Sequence, residues 1–265
     1  MSDQLLRRRI IQSVVTTDGM PLVYLKNPKV ACTTIMAAMW EEADRQAGRE
    51  TYPGNPHLQK DRPFLNPLAP ECDLERLAQK PMFSMVRNPY TRTLSAYRNK
   101  IGHVPNGYNF VWEAFCTIHD VDKSLTKSDY TFKDFLRTLA GEVPHDAFEQ
   151  HFRPQHLNIF YNWVPIDWVG HSESSKETFV YMESHGIPVT KPKAGKIQEP
   201  VGLDDFYDDE AIDIVRTVFA EDFRLFGYST DPRETTVVGP LVPPSEPGRL
   251  VEEIRALRLR SRQAA

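Results

Sequence analysis

The sequence carries no long apolar run, little cysteine and no excess of positive charge, and each shortage removes a class of function. The N-terminal stretch Ile10 to Val15 is far short of a membrane span or leader and is broken by Gln12 and Ser13. The three cysteines, Cys32, Cys72 and Cys116, have no metal-ligand spacing and no paired arrangement. They suit a reducing compartment, and the expectation is a soluble, cytoplasmic chain without a bound metal. A net charge of −4 gives no support to bulk nucleic-acid binding, so any basic binding surface has to be local. Internal repeats and low-complexity segments are absent as well. With 265 residues the chain has ample length for a sizeable core.

Glycine is missing from the place where it would say most. The apolar run Leu22-Val23-Tyr24-Leu25 is short and bulky, as suits a buried strand. It is followed by Pro28-Lys29-Val30-Ala31-Cys32-Thr33-Thr34, and then by the helix-forming residues Ile35 to Trp40. This order predicts a strand, a tight loop and a helix, with a lysine in the loop and two hydroxyls at the helix start. Such a unit presents backbone N–H groups and the positive helix end to an anion. Yet both glycines of the pattern G-x-x-x-x-G-K-[ST] are lacking. Taken alone, the loop reads equally as an exposed turn with an ordinary helix cap.

A second stretch narrows the choice. Met82 to Val86 predicts another strand, with Arg87 leaving its carboxyl end, a turn at Asn88-Pro89, and a helix carrying Ser95. Open α/β sheets bind ligands at the carboxyl ends of their strands. A planar guanidinium at that position suits bidentate contact with a phosphate, and Ser95 adds a hydroxyl.

Here the sequence resembles the carbohydrate sulfotransferases. Lys29 to Thr33 is similar to their 5′-phosphosulfate loop. Val86-Arg87-Asn88-Pro89 through Ser95-Ala96-Tyr97-Arg98-Asn99-Lys100 is similar to their 3′-phosphate motif. The likeness continues in His151-Phe152-Arg153-Pro154-Gln155, in Asp167 to Glu173 and in Asp222 to Tyr228, in order over roughly residues 20–230. The resemblance implies an α/β, P-loop-like three-layer domain with a central, mostly parallel sheet flanked by helices. It also implies 3′-phosphoadenosine 5′-phosphosulfate (PAPS) as donor, PAP as product, and a hydroxyl of a sugar or glycosylated small molecule as acceptor. Golgi-type relatives carry a membrane anchor, and the expectation here is a chain without one.

On that basis Lys29, Val30, Ala31, Cys32, Thr33 and Thr34 are expected around the 5′-phosphosulfate, with Lys29 on the bridging or phosphate oxygens. Arg87 and Ser95 are expected on the 3′-phosphate. Cys32 reads as a small residue packing behind the phosphate rather than as a nucleophile. Arg92 and Arg98 are either exposed helix arginines or cofactor contacts. The base is open: among the eight histidines, His57 lies between the two cofactor motifs and His151 belongs to the third motif, while a Glu or Asp is a further option. Two rivals stand beside this reading, a P-loop-type small-molecule kinase and a catalytically silent nucleotide-binding protein.

Along the chain, one domain is expected over residues 1–230, with its cofactor core near 20–105 and 165–228. A proline-rich linker and a terminal helix should occupy 231–265. The Arg7-Arg8-Arg9 run reads as a solvated face. Irregular loops are expected over 48–70, 102–109 and 141–165, where the acceptor pocket would be shaped. Asp208 to Phe226 reads as one amphipathic helix closed by Gly227. Leu250, Ile254, Leu257 and Leu259 of the terminal helix are expected to dock on the domain or on a second subunit.

Overall fold

Short, bulky runs bounded by prolines and polar turns become strands, and the longer periodic runs become helices. The computed structural model describes residues 2–50, 56–57, 63–102, 110–125, 129–190 and 202–263. In chain order the main elements are α1 (Asp3–Ser13), β1 (Val14–Val15), β2 (Val23–Leu25), α2 (Cys32–Gln46), α3 (Leu74–Ala78), β3 (Met82–Val86) and α4 (Pro89–Tyr97). There follow α5 (Phe110–His119), α6 (Phe132–Leu139), α7 (Gln155–Asn158), β4 (Ile166–His171), α8 (Ser175–Ser184), α9 (Asp209–Val218), α10 (Ala220–Phe226) and α11 (Arg249–Gln263). Residues 51–55, 58–62 and 103–109 of the expected loops lie outside the described residues.

The chain groups into two units. One comprises Met1–Val86, Asn158–Ile197 and Pro244–Ala265, the other Arg87–Leu157 and Gln198–Pro243. A division at residue 230 does not coincide with these units.

The first unit holds a four-stranded sheet in the order β1-β2-β3-β4. β1 is antiparallel to β2, while β2, β3 and β4 run parallel, so the expected mostly parallel α/β sheet is present. On one face Tyr24 and Phe83, paired across β2 and β3, share a core with Met85, with Ile35, Met36 and Met39 of α2 and with Met182 of α8. The approach of α8 is close. A Cβ at Gly170 of β4 would stand 1.7 Å from Thr178 Oγ1, so only glycine fits there. Aromatic stacking adds to this contact, with the Trp168 and Tyr181 rings 5.0 Å apart.

One expectation is corrected in this unit, and another meets the first of its two alternatives. Arg9 is not solvated: it is buried on α1, its guanidinium 4.8 Å from the centre of the Phe160 ring. Arg7 donates to the Leu257 carbonyl, so this part of the run is structural. The terminal helix α11 rests on its own chain, with Leu250, Ile254 and Leu257 buried and Arg258 donating to the carbonyls of Pro67 and Cys72. Leu259 alone of the four apolar positions is exposed.

The second unit is built from helices and aromatic side chains. Phe115, Phe135 and Phe152 meet with ring centres 5.1 to 5.6 Å apart. Thr131 and Asp134 close a reciprocal capping box at the start of α6. The stretch expected as a single helix up to Phe226 is two, α9 and α10, because the backbone at Phe219 leaves helical geometry (φ −110°, ψ 21°). Gly227 ends α10 in the left-handed region, and a Cβ there would lie 2.1 Å from the Gly239 carbonyl oxygen.

Candidate functional site

In the first unit, the loop leaving β2 is fixed at its root by Asn27. This residue is fully buried; its Nδ2 donates to the Met85 carbonyl on β3 at 3.1 Å, and its Oδ1 accepts from Asn158 Nδ2 at 3.3 Å. The loop start is thereby tied to the neighbouring parallel strand.

Beyond it, Lys29 and Ala31 adopt left-handed backbone conformations, with φ of 73° and 63°. Side chains at such positions cost about 1–3 kcal/mol each. Between them Val30 is wholly buried in the sheet–helix core, which holds the loop in this shape. The Val30 side chain is therefore turned inward, and only its backbone is available to a ligand. The Ala31 carbonyl accepts from Thr34 and Ile35 N–H, starting α2. The first N–H groups of a helix have no carbonyl a turn behind them, and the helix dipole places roughly half a positive charge there. Lys29 is half-buried beside this helix start, and Ala31 is exposed.

His57 comes to the same place. Its Nε2 lies 3.1 Å from Thr33 Oγ1 and 3.8 Å from Cys32 Sγ. Cys32 is half-buried against the core, in keeping with a packing role, and Thr34 is buried. So Thr33 and His57, 24 positions apart in sequence, meet at the helix start that the Lys29 loop leads into.

The second unit begins where β3 ends. Asn88 caps α4 through Oδ1, which accepts from Tyr90 N–H at 2.9 Å, and Pro89 occupies the first helical position. Arg87 is half-buried, and its Nε donates to Thr91 Oγ1 at 3.0 Å. Ser95 stands one turn beyond Thr91, on the same face of α4. Arg92 is not an exposed helix arginine: it is 1% exposed, with Nη2 3.4 Å from the Gln150 carbonyl.

His151 is gripped by Glu149, whose carboxylate oxygens lie 3.0 and 2.9 Å from Nδ1, and whose Oε2 also accepts from the His151 N–H. Burial pushes the Glu149 carboxyl up, but the His151 charge and hydrogen bonds, with Arg153, outweigh it and hold it below the ordinary range. A parallel arrangement exists at His156, whose Nδ1 is 2.7 Å from the buried Asp222. Asp222 also accepts from the N–H groups of Gln155 and His156. Burial again works against the charge of Asp222, and these donors reverse it. No local sequence pattern marks Asn27, Asn158 or Glu149 as site-supporting residues, and Gln155, though it ends the third motif, is tied to Arg87 by buried hydrogen bonds that only the fold reveals.

In the first unit a left-handed loop thus joins the end of one parallel strand to a helix start, and Arg87 follows the last residue of the next strand. The chain belongs to the sulfotransferase family, whose model matches residues 12–229. It is similar to carbohydrate sulfotransferase 14 of Danio rerio, with 27% identity over 87% of this chain and 65% of the relative. It is also similar to carbohydrate sulfotransferase 14 of Homo sapiens, with 28% identity over 63% of this chain and 44% of the relative. Carbohydrate sulfotransferase 10 of Xenopus laevis is 24% identical over 86% and 70% of the two chains. The chain thus spans less than two thirds of the first two relatives. No solved structure matches it significantly. Among the described residues, no helix is long and apolar enough to cross a membrane.

Proposed function

We propose that this protein transfers the sulfuryl group of PAPS to a hydroxyl of a carbohydrate-containing acceptor. The observation that carries the reading is the meeting of Thr33 and His57 at the start of α2, directly after a lysine-bearing loop held in left-handed geometry. The names of the relatives, carbohydrate sulfotransferases 14 and 10, support a sugar acceptor.

The two sets of side chains, each taken within its own unit, suit the two charged ends of the donor. A lysine and helix-terminal N–H groups suit a 5′-phosphosulfate, and a guanidinium with a nearby hydroxyl suits a 3′-phosphate. When bound, PAPS supplies an activated sulfuryl group, whose bond to the 5′-phosphate oxygen breaks as the acceptor oxygen bonds to sulfur. Lys29 neutralises the charge that grows on the 5′-phosphate side, assisted by the N–H groups of Cys32 and Thr33. Arg87 and Ser95 hold the 3′-phosphate and fix the nucleotide's orientation. His57 takes the proton of the acceptor hydroxyl, because its ring is already bonded to the loop that receives the sulfuryl end. His151, with Nδ1 occupied by Glu149, is the second candidate base.

Calorimetric titration with PAP and with ATP, on wild type and Arg87→Ala, tests the donor. Tight, magnesium-independent PAP binding that is lost in the variant and absent for ATP is the expected result. ATP binding instead would promote a kinase. Transfer of label from PAPS to a panel of glycans then tests the acceptor, and PAP binding without any transfer would favour a silent nucleotide-binding protein. The pH–rate profiles of His57→Ala and His151→Ala separate the two bases: loss of the limb near neutral pH marks the base.

A further inference from the structure

We infer that Gln155 is the positioning residue for Arg87 and sets the preference for a nucleotide bearing a 3′-phosphate; this rests on the donor reading above. The Gln155 side chain is completely buried. Its Oε1 accepts from the Arg87 N–H at 2.9 Å, and its Nε2 donates to the Arg87 carbonyl at 2.7 Å. Both backbone hydrogen-bonding groups of one residue are thus met by one amide side chain. This is the pairing that a neighbouring strand would otherwise supply, placed one residue beyond the end of β3. Where the backbone pairing of the strand stops, Gln155 continues it for a single residue, and that residue is the arginine.

Gln155 is itself immobilised. Its N–H donates to Asp222 Oδ2 at 2.7 Å, and Asp222 is fully buried. Asp222 is further held by the N–H and Nδ1 of His156, at 3.0 and 2.7 Å. The guanidinium is steadied separately, by Nε donating to Thr91 Oγ1, whose hydroxyl in turn donates to the Asn88 carbonyl at 3.1 Å. Main chain and side chain of Arg87 therefore have independent supports. A guanidinium recognises phosphate by direction as well as charge, so a backbone free to rotate loses phosphate contact before it loses fold. Asp222 and Gln155 act through Arg87 alone in this scheme and touch no substrate.

The test compares PAP with AMP, which lacks the 3′-phosphate, by calorimetry on wild type and on Gln155→Met, a variant of similar volume without the amide. Wild type should prefer PAP, and Gln155→Met should lose about tenfold in PAP affinity while AMP affinity stays within about twofold. A merely structural role would weaken both nucleotides together, so an unchanged PAP-to-AMP ratio in folded Gln155→Met overturns the inference. Should that variant not fold, the same ratio is read on Gln155→Glu. That side chain keeps an acceptor for the Arg87 N–H and sets an oxygen against the Arg87 carbonyl. A ratio at the wild-type value there likewise overturns the inference, and a lowered one supports it. Equal affinity of wild type for PAP and AMP would instead overturn the donor reading itself.

Discussion

His119 offers a sharp test of the second unit's packing. It ends α5 with its ring 4.6 Å from that of Phe115 and 4.9 Å from that of Phe148, and neither ring nitrogen has a hydrogen-bond partner among the described residues. Burial lowers its pKa from 6.5 to about 4. The sign follows from linkage. Between those values the unfolded chain binds the proton and the folded chain does not, so stability falls as the pH falls. At about 1.4 kcal/mol per pH unit, the loss approaches roughly 3 kcal/mol by pH 4, less whatever water reaches the ring. His119→Phe keeps the aromatic contacts and removes the titration. Its unfolding free energy in urea, measured from pH 7 to pH 4.5, should pull progressively ahead of wild type as the pH drops. A constant difference between the two curves would refute the reasoning. His145 is also lowered, first by burial and then by the charge of His156, so the variant retains a shallower slope and not a flat line.

Lys29→Ala should reduce the transfer rate about a hundredfold or more with a smaller loss of PAP affinity; equal losses in rate and affinity would make Lys29 a binding residue only. Gly170→Ala should destabilise by about 2 kcal/mol or more through its clash with Thr178, and Thr178→Ala should recover part of that loss in a double-mutant cycle. Glu149→Gln should remove a carboxylate whose stabilising contribution is full above about pH 4.3 and lost as the pH falls through its depressed value. Acid-unfolding curves of the variant should therefore be less steep than wild type at the acid end, and identical steepness would refute the Glu149–His151 coupling.

The strands β2 and β3 and the helices after them were readable because short apolar runs, prolines and helix formers follow one another within a few residues. The same locality made Lys29, Arg87 and Ser95 visible. What escaped depends on distance along the chain. Gln155 finds Arg87 across 68 positions, and Asp222 finds Gln155 across 67. Arg9 looks like part of a solvated run until Phe160 is brought beneath it. The two-residue β1 is too short for any periodicity. The break at Phe219 has no glycine or proline to announce it; it separates α9 from the helix whose Asp222 is bound to Gln155 and His156. His57, in a run of prolines and asparagines, was open in sequence and became specific only through its contact with Thr33.

Lys29 and Ala31 hold a shape that glycine would adopt without strain, and this bears on time as well as on stability. A glycine loop is free to wander between encounters and has to be gathered again whenever a nucleotide arrives. With side chains at both positions and Val30 locked beneath them, the alternatives are excluded once, when the chain folds. The loop is then already in one shape before any ligand arrives, and no ordering of the backbone is left for binding to meet.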